Sequence, residues 1–443
     1  MPERSAFERE AGRPISLWRQ RPFRMLSYTR FSSRVAQNAL NFGLVLLISN
    51  ETGKAFLSSL LVLALVVPST VTGLAAGWAA DAFPKRLLVV LGHLGRAGVC
   101  ILFIQGSGNL FSYYAAAVGL VTFGQFASAA EGAIQPAIIQ RVDLTRANAI
   151  SQAVGGAAQV VGLGVLTPLV LRVFGSPELL FAICAGLFVV AAFNAVLIGS
   201  TRSHDRQEVG SRAAHTGPWY TAGWHAMRQD PAVMHAAIEL TLISAVLIIL
   251  GGLIPKYIGD TLGLPVDVGA IVLLPAAGGV VLGLRVASYL SHRVPHAALT
   301  TAGFLTFVGG LLLLTFVNQE ASFLGGYGLF GFLNRINIGS FDGGGLLAMI
   351  LMLPLGFAFA SVNVSGQTLL NDRVPLSLQG RVQSTQAAMA GVASSLPVLI
   401  AGGASDVIGV TPVMALVALL TGALAIANIR PRAEAAPVAG SSA

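Results

Sequence analysis

The chain has 443 residues, of which 54% are hydrophobic and 10% are charged, and its mean hydropathy is +0.75. This composition excludes a soluble globular protein and indicates an α-helical protein that crosses a membrane many times, because only structures with closed hydrogen bonding can cross a bilayer. The net charge of +8 comes from Lys and Arg spread over many loops, which excludes the concentrated basic patch of a nucleic-acid-binding protein.

Twelve apolar stretches are each long enough to cross a hydrocarbon core, which takes about 20 helical residues. In chain order they are predicted at 25–48, 56–79, 87–105, 111–139, 148–174, 178–199, 233–255, 266–290, 297–317, 346–369, 384–407 and 411–429. An even number of crossings places both termini on one side. Lys and Arg concentrate in the two tails and in every second loop, so the positive-inside rule makes that side cytoplasmic. Residues 1–22 are polar, so no signal peptide is predicted and the first helix is the expected insertion signal.

The sequence divides into two halves of six stretches each. The predicted units are a cytoplasmic tail at 1–24, a six-helix bundle at 25–200, a cytoplasmic linker with an interfacial helix at 201–231, a second bundle at 232–429 that contains a long external loop at 318–345, and a cytoplasmic tail at 430–443. A Gly-x-x-x-Gly motif ends the second stretch at Gly73 and Gly77 and recurs in the eighth stretch at Gly279 and Gly283. Such internal duplication is typical of transporters, and paired glycines allow two helices to approach closely.

Several kinds of chemistry are not predicted. Cys100 and Cys184 both lie in apolar stretches, which indicates neither a disulfide framework nor a metal site. No His, Cys, Asp or Glu cluster has the spacing of metal ligands, and no Gly-rich phosphate loop for ATP occurs. No nucleophile–base pair and no soluble catalytic segment is visible. We therefore expect no cofactor, no ATP, no nucleic acid and no enzymatic activity.

The segment that follows the second stretch carries a recognisable pattern, Gly77-Trp78-Ala79-Ala80-Asp81-Ala82-Phe83-Pro84-Lys85-Arg86. It resembles the loop between helices two and three of the major facilitator superfamily, whose pattern is Gly-x-x-x-Asp-x-x-Gly-Arg-Arg/Lys. Further residues resemble its macrolide-efflux and enterobactin-exporter branch: Arg96, Gln135-Pro136, Ala147-Asn148, Pro375, Gly380-Arg381 and the segment from Trp224 to Pro231. The resemblance covers essentially the whole chain. It implies twelve transmembrane helices in two pseudo-symmetric six-helix bundles, an all-α fold.

The loop motif predicts a conformational lock at the cytoplasmic side. Asp81 can accept hydrogen bonds from Arg86 or from the N-terminus of an opposing helix, and these bonds must break when the protein opens inward. The residues assigned to this lock are Gly73, Gly77, Asp81, Lys85, Arg86 and Arg96. Pro84 stands where the family pattern has Gly, and the second half has Ala287 in place of Asp81, so one strong lock is expected. The alternative is an ordinary short turn with flanking charges.

Polar residues at membrane depth are costly and normally face the interior of a helix bundle or a wet cavity. On the first stretch Arg30, Arg34, Gln37, Asn38 and Asn41 share one helical stripe, and on the fourth Gln125, Ser128, Glu131 and Gln135 share another. The resemblance implies that helices one, four, seven and ten line the central cavity. We expect proton coupling at Arg34, Glu131, Glu239 and His235, with Arg34 and Glu131 at equal depth and paired. We expect substrate contact at Asn38, Asn41, Gln135, Asn363 and Gln367.

Alternatives remain for these residues: a permanent structural salt bridge for Glu131, a position in the headgroup region for His235, and interhelical packing for the amides. The resemblance implies a multi-pass protein of a prokaryotic cytoplasmic (inner) membrane, a drug:proton antiporter that exports small hydrophobic or amphipathic compounds, as in multidrug resistance. Its partners would be a small-molecule substrate, protons and the lipid bilayer. A siderophore or lipid exporter is the second hypothesis, favoured by a wide basic cavity or a lateral opening. A non-transporting membrane receptor or scaffold is the third.

Overall fold

The computed structural model describes residues 17–106, 109–139, 143–199, 222–265, 269–290, 294, 296–320, 343–374 and 376–428. The predicted C-terminal tail lies outside these residues, as do most of the predicted N-terminal tail, linker and external loop. Throughout the described ranges the regular secondary structure is helical, with no strand.

Twelve long helices follow one another in the described part of the chain. They are α1 Arg21–Thr52, α2 Ala55–Ala82, α3 Lys85–Gly106, α4 Leu110–Ile138, α5 Leu144–Gln159 continued by the π-helical segments Val160–Leu166 and Leu169–Phe174, α6 Pro177–Val196, α7 Pro231–Lys256 continued by the π-helical turn Tyr257–Thr261, α8 Gly269–Leu290, α9 His296–Thr315, α10 Gly343–Arg373, α11 Leu376–Ile408 and α12 Val410–Asn428. Each overlaps one predicted stretch, which confirms the predicted all-α architecture. Nine of the described helices are long and apolar enough to cross a membrane, and α8 and α12 contain shorter apolar segments.

Short-range signals explain several helix ends. Gly53 adopts a left-handed conformation (φ 64°) after α1, and its N–H bonds to the carbonyl of Ser49 at 2.8 Å. The carboxylate of Asp230 caps α7 by accepting a hydrogen bond from the N–H of Ala232 at 2.8 Å, and proline occupies the first helical position. A short helix, Ala222–Gln229, precedes this cap at the position of the predicted interfacial helix.

Helices α1–α6 pack among themselves, chiefly α3 on α4 and α6, and α1 on α6. Helices α7–α12 do the same, chiefly α10 on α8 and α9, and α7 on α11. The α8–α10 contact is close because Gly279 and Gly283 lie directly against the backbone carbonyls of Leu353 and Phe357, where a side chain would collide. The second Gly-x-x-x-Gly motif is therefore a close helix–helix contact.

The two sets of helices meet mainly through α2, which packs on α7 and α11, and through α5, which packs on α8. At the predicted external end, Gly252 of α7 and Gly402 of α11 both pack against Ser59 of α2. Nearer the α2–α3 turn, a Cβ at Gly77 meets no described atom within 4 Å, and one at Gly73 meets only the amide oxygen of Gln125, at 3.9 Å. The close approach expected at Gly73 and Gly77 is absent in this conformation, because α2 engages the other half nearer its external end.

Candidate functional site

A polar cavity of about 260 Å³ lies between α1, α3 and α4. Its ionisable lining residues are Arg34, His93, Arg96 and Glu131, and its uncharged polar lining residues are Ser33, Gln37, Asn38, Asn41, Gln125 and Ser128. Helical periodicity explains this lining, since the polar stripes predicted on α1 and α4 both face the cavity. As far as the described ranges extend, every lining residue belongs to the first six helices.

Glu131 is the acidic centre of this region and is only 6% exposed. One carboxylate oxygen lies 3.0 Å from Nε2 of His93, and the other lies 3.5 Å from Nε of Arg30. Arg30 also donates from Nη2 to the backbone carbonyl of Glu131 at 3.0 Å. The predicted Arg34–Glu131 ion pair is therefore wrong for this conformation, because Arg30, one helical turn before Arg34, fills that position. Arg34 lines the cavity without a hydrogen bond or ion pair to any described residue.

Arg30 continues into a partly buried network, here called the Arg30 network, that joins α1, α4 and α5. Its Nη1 donates to Oε1 of Gln135 and, at 2.8 Å, to the hydroxyl of Ser151. Gln135 in turn donates to Oδ1 of Asn148 at 2.6 Å and accepts from Ser151 at 3.2 Å. Gln135 is buried in this network and is absent from the cavity lining in this structure, so its assignment to substrate contact stays a prediction. Asn38 and Asn41 do line the cavity.

Arg96 lines the cavity in this structure, and its assignment to the cytoplasmic lock stays a prediction. It lies about 16 Å along α3 from Lys85, at 1.5 Å per residue, and is only 5% exposed. Its guanidinium stacks over the ring of Phe188 at 4.4 Å, and its Nε has no hydrogen-bond partner in the described part of the chain. His93 stacks on the same ring, with 6.3 Å between centroids. The family resemblance did not indicate this depth of Arg96 along α3.

The remaining lock residues give only partial information. The side chain of Asp81 lies outside the described residues, while Lys85 and Arg86 are half-buried at the start of α3. Together with the open positions at Gly73 and Gly77, this leaves the cytoplasmic lock as a prediction.

The predicted residues of the second half lie away from the polar cavity. His235 uses Nδ1 to contact the backbone carbonyl of Pro231 in the first turn of α7, and Glu239 is buried on the same helix. Asn363 donates to the carbonyl of Phe359 at 3.3 Å, and Gln367 accepts from Gln383 of α11 at 3.5 Å. This structure therefore does not bring these four residues together with Glu131, and their roles stay predictions.

One charged contact between the halves was missed from the sequence. Asp406 of α11 accepts hydrogen bonds from the backbone N–H groups of Ala55 and Phe56 at 2.9 Å each, and from Nζ of Lys256 at 3.0 Å. The N-cap position of α2 is Lys54, which provides no side-chain cap, so Asp406 satisfies free N–H groups at a positive helix end. The signal available in sequence was the pair of opposite charges, Lys256 and Asp406, at the predicted external ends of α7 and α11.

These Asp406 contacts and the packing of Ser59 against Gly252 and Gly402 are called the external seal below. It joins helices α2, α7 and α11, and hence both halves, at one end of the protein. Together with the polar cavity, the external seal and the Arg30 network are the structural features from which a function can be proposed.

Comparison with known proteins places these features in a wider context. A family model described as Major Facilitator Superfamily matches residues 26–341. A variant of the nucleoside transporter NupG is similar in structure, with a TM-score of 0.69, 14% identity, and coverage of 93% of this chain and 99% of that one. An autoinhibited POT family peptide transporter has a TM-score of 0.68 and 12% identity, with coverage of 92% of this chain and 96% of that one. A bacterial homologue of the iron transporter ferroportin, in an inward-facing state, has a TM-score of 0.63 and 14% identity, with coverage of 94% of this chain and 100% of that one. No curated protein matches the sequence. At these identities the solved structures show a shared fold.

Proposed function

This chain belongs to the Major Facilitator Superfamily, and on that basis we propose that it is a proton-coupled secondary active transporter that exports small amphipathic molecules by alternating access. We place it in the cytoplasmic membrane of a prokaryote with both termini inside, as the distribution of Lys and Arg predicts. Export follows from the resemblance to the efflux branch. The same resemblance implies that the exported molecule is exchanged for protons. A transport assay distinguishes this exchange from cotransport, in which both move in the same direction.

The observation that carries this proposal is the unequal contact between the two halves. They are joined by the external seal at one end, while Gly73 and Gly77 are open toward the other. In an alternating-access cycle the external seal must break and the α2–α3 end must close. The paired glycines then supply a close-contact surface for the second state, and this surface is free in the first.

Proton coupling is assigned to Glu131. Addition of a proton removes the charge that holds Arg30 and His93 around this carboxylate, at 3.5 and 3.0 Å. Arg30 is also bonded to Gln135 and Ser151, so its release alters the contact between α1, α4 and α5. The bond from Arg30 to Ser151 of α5 supports coupling of the proton to helix movement, because α5 packs on α8 of the other half. The α5 helix also contains π-helical segments, which are frequent at functional sites.

The test is transport by the purified protein in proteoliposomes that contain a pH-sensitive dye. A panel of matched neutral, cationic and anionic amphipathic compounds is added to the parent, to Glu131→Gln and to Asp372→Asn, a control at an exposed carboxylate at the end of α10. We expect at least one compound to move protons through the parent and the control, and none to do so through Glu131→Gln.

The direction of proton movement relative to the compound distinguishes exchange from cotransport. Coupled transport that survives in Glu131→Gln contradicts the role of this residue. A parent that transports no compound, under either direction of the pH gradient, contradicts the proposed function.

A further inference from the structure

We propose that the polar cavity binds an oxyanion of the transported molecule, so that the substrate is an amphipathic anion with a carboxylate, phosphate or sulfonate group. This inference rests on the proposed transport function and deepens it by naming the substrate class. The groups assigned to the oxyanion are the guanidinium groups of Arg34 and Arg96, both of which line the cavity.

The charge balance of the cavity supports an anionic ligand. Three guanidinium groups, of Arg30, Arg34 and Arg96, face one carboxylate, that of Glu131. Glu131 is already engaged by Arg30 and His93, at 3.5 and 3.0 Å. Arg34 and Arg96 thus form no close ion pair with any described residue, and they share the single carboxylate of Glu131 with Arg30. Isolated charges at membrane depth are unfavourable unless they are paired, and a ligand anion supplies the pairing.

Arg96 provides the second, independent observation. It is 95% buried (5% exposed), lines the cavity, and keeps its Nε without a hydrogen-bond partner in the described ranges. A guanidinium donates in a planar fork that matches carboxylate and phosphate oxygens. The face that rests on Phe188 holds the guanidinium in place, while the Nε edge remains available to a ligand.

The remaining lining residues fit the same ligand. Gly124 lies beside Arg96, and a Cβ there would come within 3.2 Å of the guanidinium carbon, so the absent side chain leaves room for this arginine. Gln37 donates its amide to Oδ1 of Asn41 at 2.6 Å, which orients both amides along the cavity wall. Amide and hydroxyl groups of this kind hydrogen-bond the polar part of a ligand whichever charge it carries. The arginines therefore determine which charge is preferred.

The sign of the ligand charge also determines how its binding is linked to the proton. The charged and titratable groups around the cavity are Arg30 and Arg34 of α1, His93 and Arg96 of α3, and Glu131 of α4. A proton added to Glu131 makes the cavity more positive, so it strengthens the binding of an anion and weakens that of a cation.

The experiment measures equilibrium binding of three probes that share one ring system and differ in charge: 2-naphthoate, 2-naphthamide and 2-naphthylmethylammonium. The full-length protein in lipid nanodiscs is dialysed against each probe at a fixed salt concentration. We expect 2-naphthoate to bind at least tenfold more tightly than the amide, and the ammonium probe to bind most weakly, because a charge-assisted hydrogen bond contributes roughly ten- to a hundredfold in affinity.

Two variants and one control locate the binding. Arg34→Gln is the principal variant, since this side chain is exposed to the cavity and its loss leaves the core intact. It should bring 2-naphthoate to within about threefold of the amide, while the amide itself binds unchanged. Arg96→Lys retains the charge of a buried group but loses the Nε donor, and should give an intermediate loss. Arg285→Gln removes an exposed arginine of α8 outside the cavity lining and should have no effect.

Equal binding of all three probes overturns the inference, as does preference for the ammonium probe. An equal loss in Arg34→Gln and Arg285→Gln also overturns it, because the preference then comes from the surface charge of the protein. A parent that transports a neutral or cationic compound but does not prefer 2-naphthoate contradicts the anion site and leaves the transport function standing. A parent that binds 2-naphthoate selectively but transports nothing supports the site and contradicts the transport function.

Discussion

Replacement of Asp406 by Asn tests whether the external seal holds the two halves together. The carboxylate accepts two backbone N–H bonds of 2.9 Å at the start of α2 and a bond of 3.0 Å from Lys256. An amide of the same shape has a single acceptor oxygen, so it can keep one of the two N–H bonds, and it has no charge to pair with Lys256.

The size of the effect follows from these contacts. Loss of one hydrogen bond to a charged group contributes about 1.5–3 kcal/mol, and the Lys256 pair, which is partly exposed to solvent, adds about 0–1 kcal/mol. Water replaces part of both losses at the end of the protein, which leaves about 1–2 kcal/mol against the sealed conformation. The ratio of open to sealed protein should therefore rise about five- to thirtyfold.

Spin labels at Leu110→Cys and Phe316→Cys, exposed positions at the predicted external end of α4 and just after α9, report this ratio as a distance distribution. Both natural cysteines, Cys100 and Cys184, are buried. In the matched control, Asp260→Asn, the carboxylate lies 3.6 Å from Lys256 and is 58% exposed, so the distribution should change less than about twofold. An unchanged distribution in Asp406→Asn, or an equal change in the control, would refute the role of the seal.

Further substitutions separate packing from function. Gly283→Ala should destabilise the protein by about 1–3 kcal/mol in denaturant unfolding, because its Cβ would collide with the backbone of α10. Gly77→Ala should leave stability unchanged but slow transport, since its site is open here and is expected to close in the opposite state. Gly124→Ala should displace Arg96 and lower 2-naphthoate affinity severalfold with naphthamide affinity unchanged, as dialysis measures. Gln135→Ala should reduce the maximal transport rate at unchanged substrate affinity, because it breaks the Arg30 network outside the cavity; a changed affinity with an unchanged rate would contradict this assignment.

The positions of the helices were predictable because crossing a bilayer imposes a minimum apolar length on the sequence. The stripe with Asn38 and Asn41 on α1 was predictable in the same way, since helical spacing alone places polar residues on one face. The partner of Glu131 was not predictable. Counting residues from a helix end gives depth to about one turn, which does not distinguish Arg30 from Arg34, and the choice depends on how α1, α4 and α5 pack.

Two other features depended on tertiary structure. Asp406 caps α2, a helix that is distant from it in sequence. The N-cap residue of α2, Lys54, provides no side-chain cap, but no local sequence pattern indicates which distant residue replaces it. Arg96 was assigned to the lock by its family resemblance, although its position along α3 places it deep among apolar neighbours such as Phe188. The sequence contained both charges, but their partners required the packed structure.

The uneven distribution of charge between the halves has an electrical consequence. Among the described residues, Arg30, Arg34 and Arg96 around the cavity are opposed by Glu131 alone, which leaves two excess positive charges in the same half. When access to the cavity changes from one side to the other, these charges change their position in the membrane field, which acts with about 2.3 kcal/mol per charge per 100 mV across its full width. A potential that is negative inside therefore draws the empty cavity toward the cytoplasm. A bound monoanion cancels half of this charge, so the return of the unloaded protein is the step most sensitive to voltage.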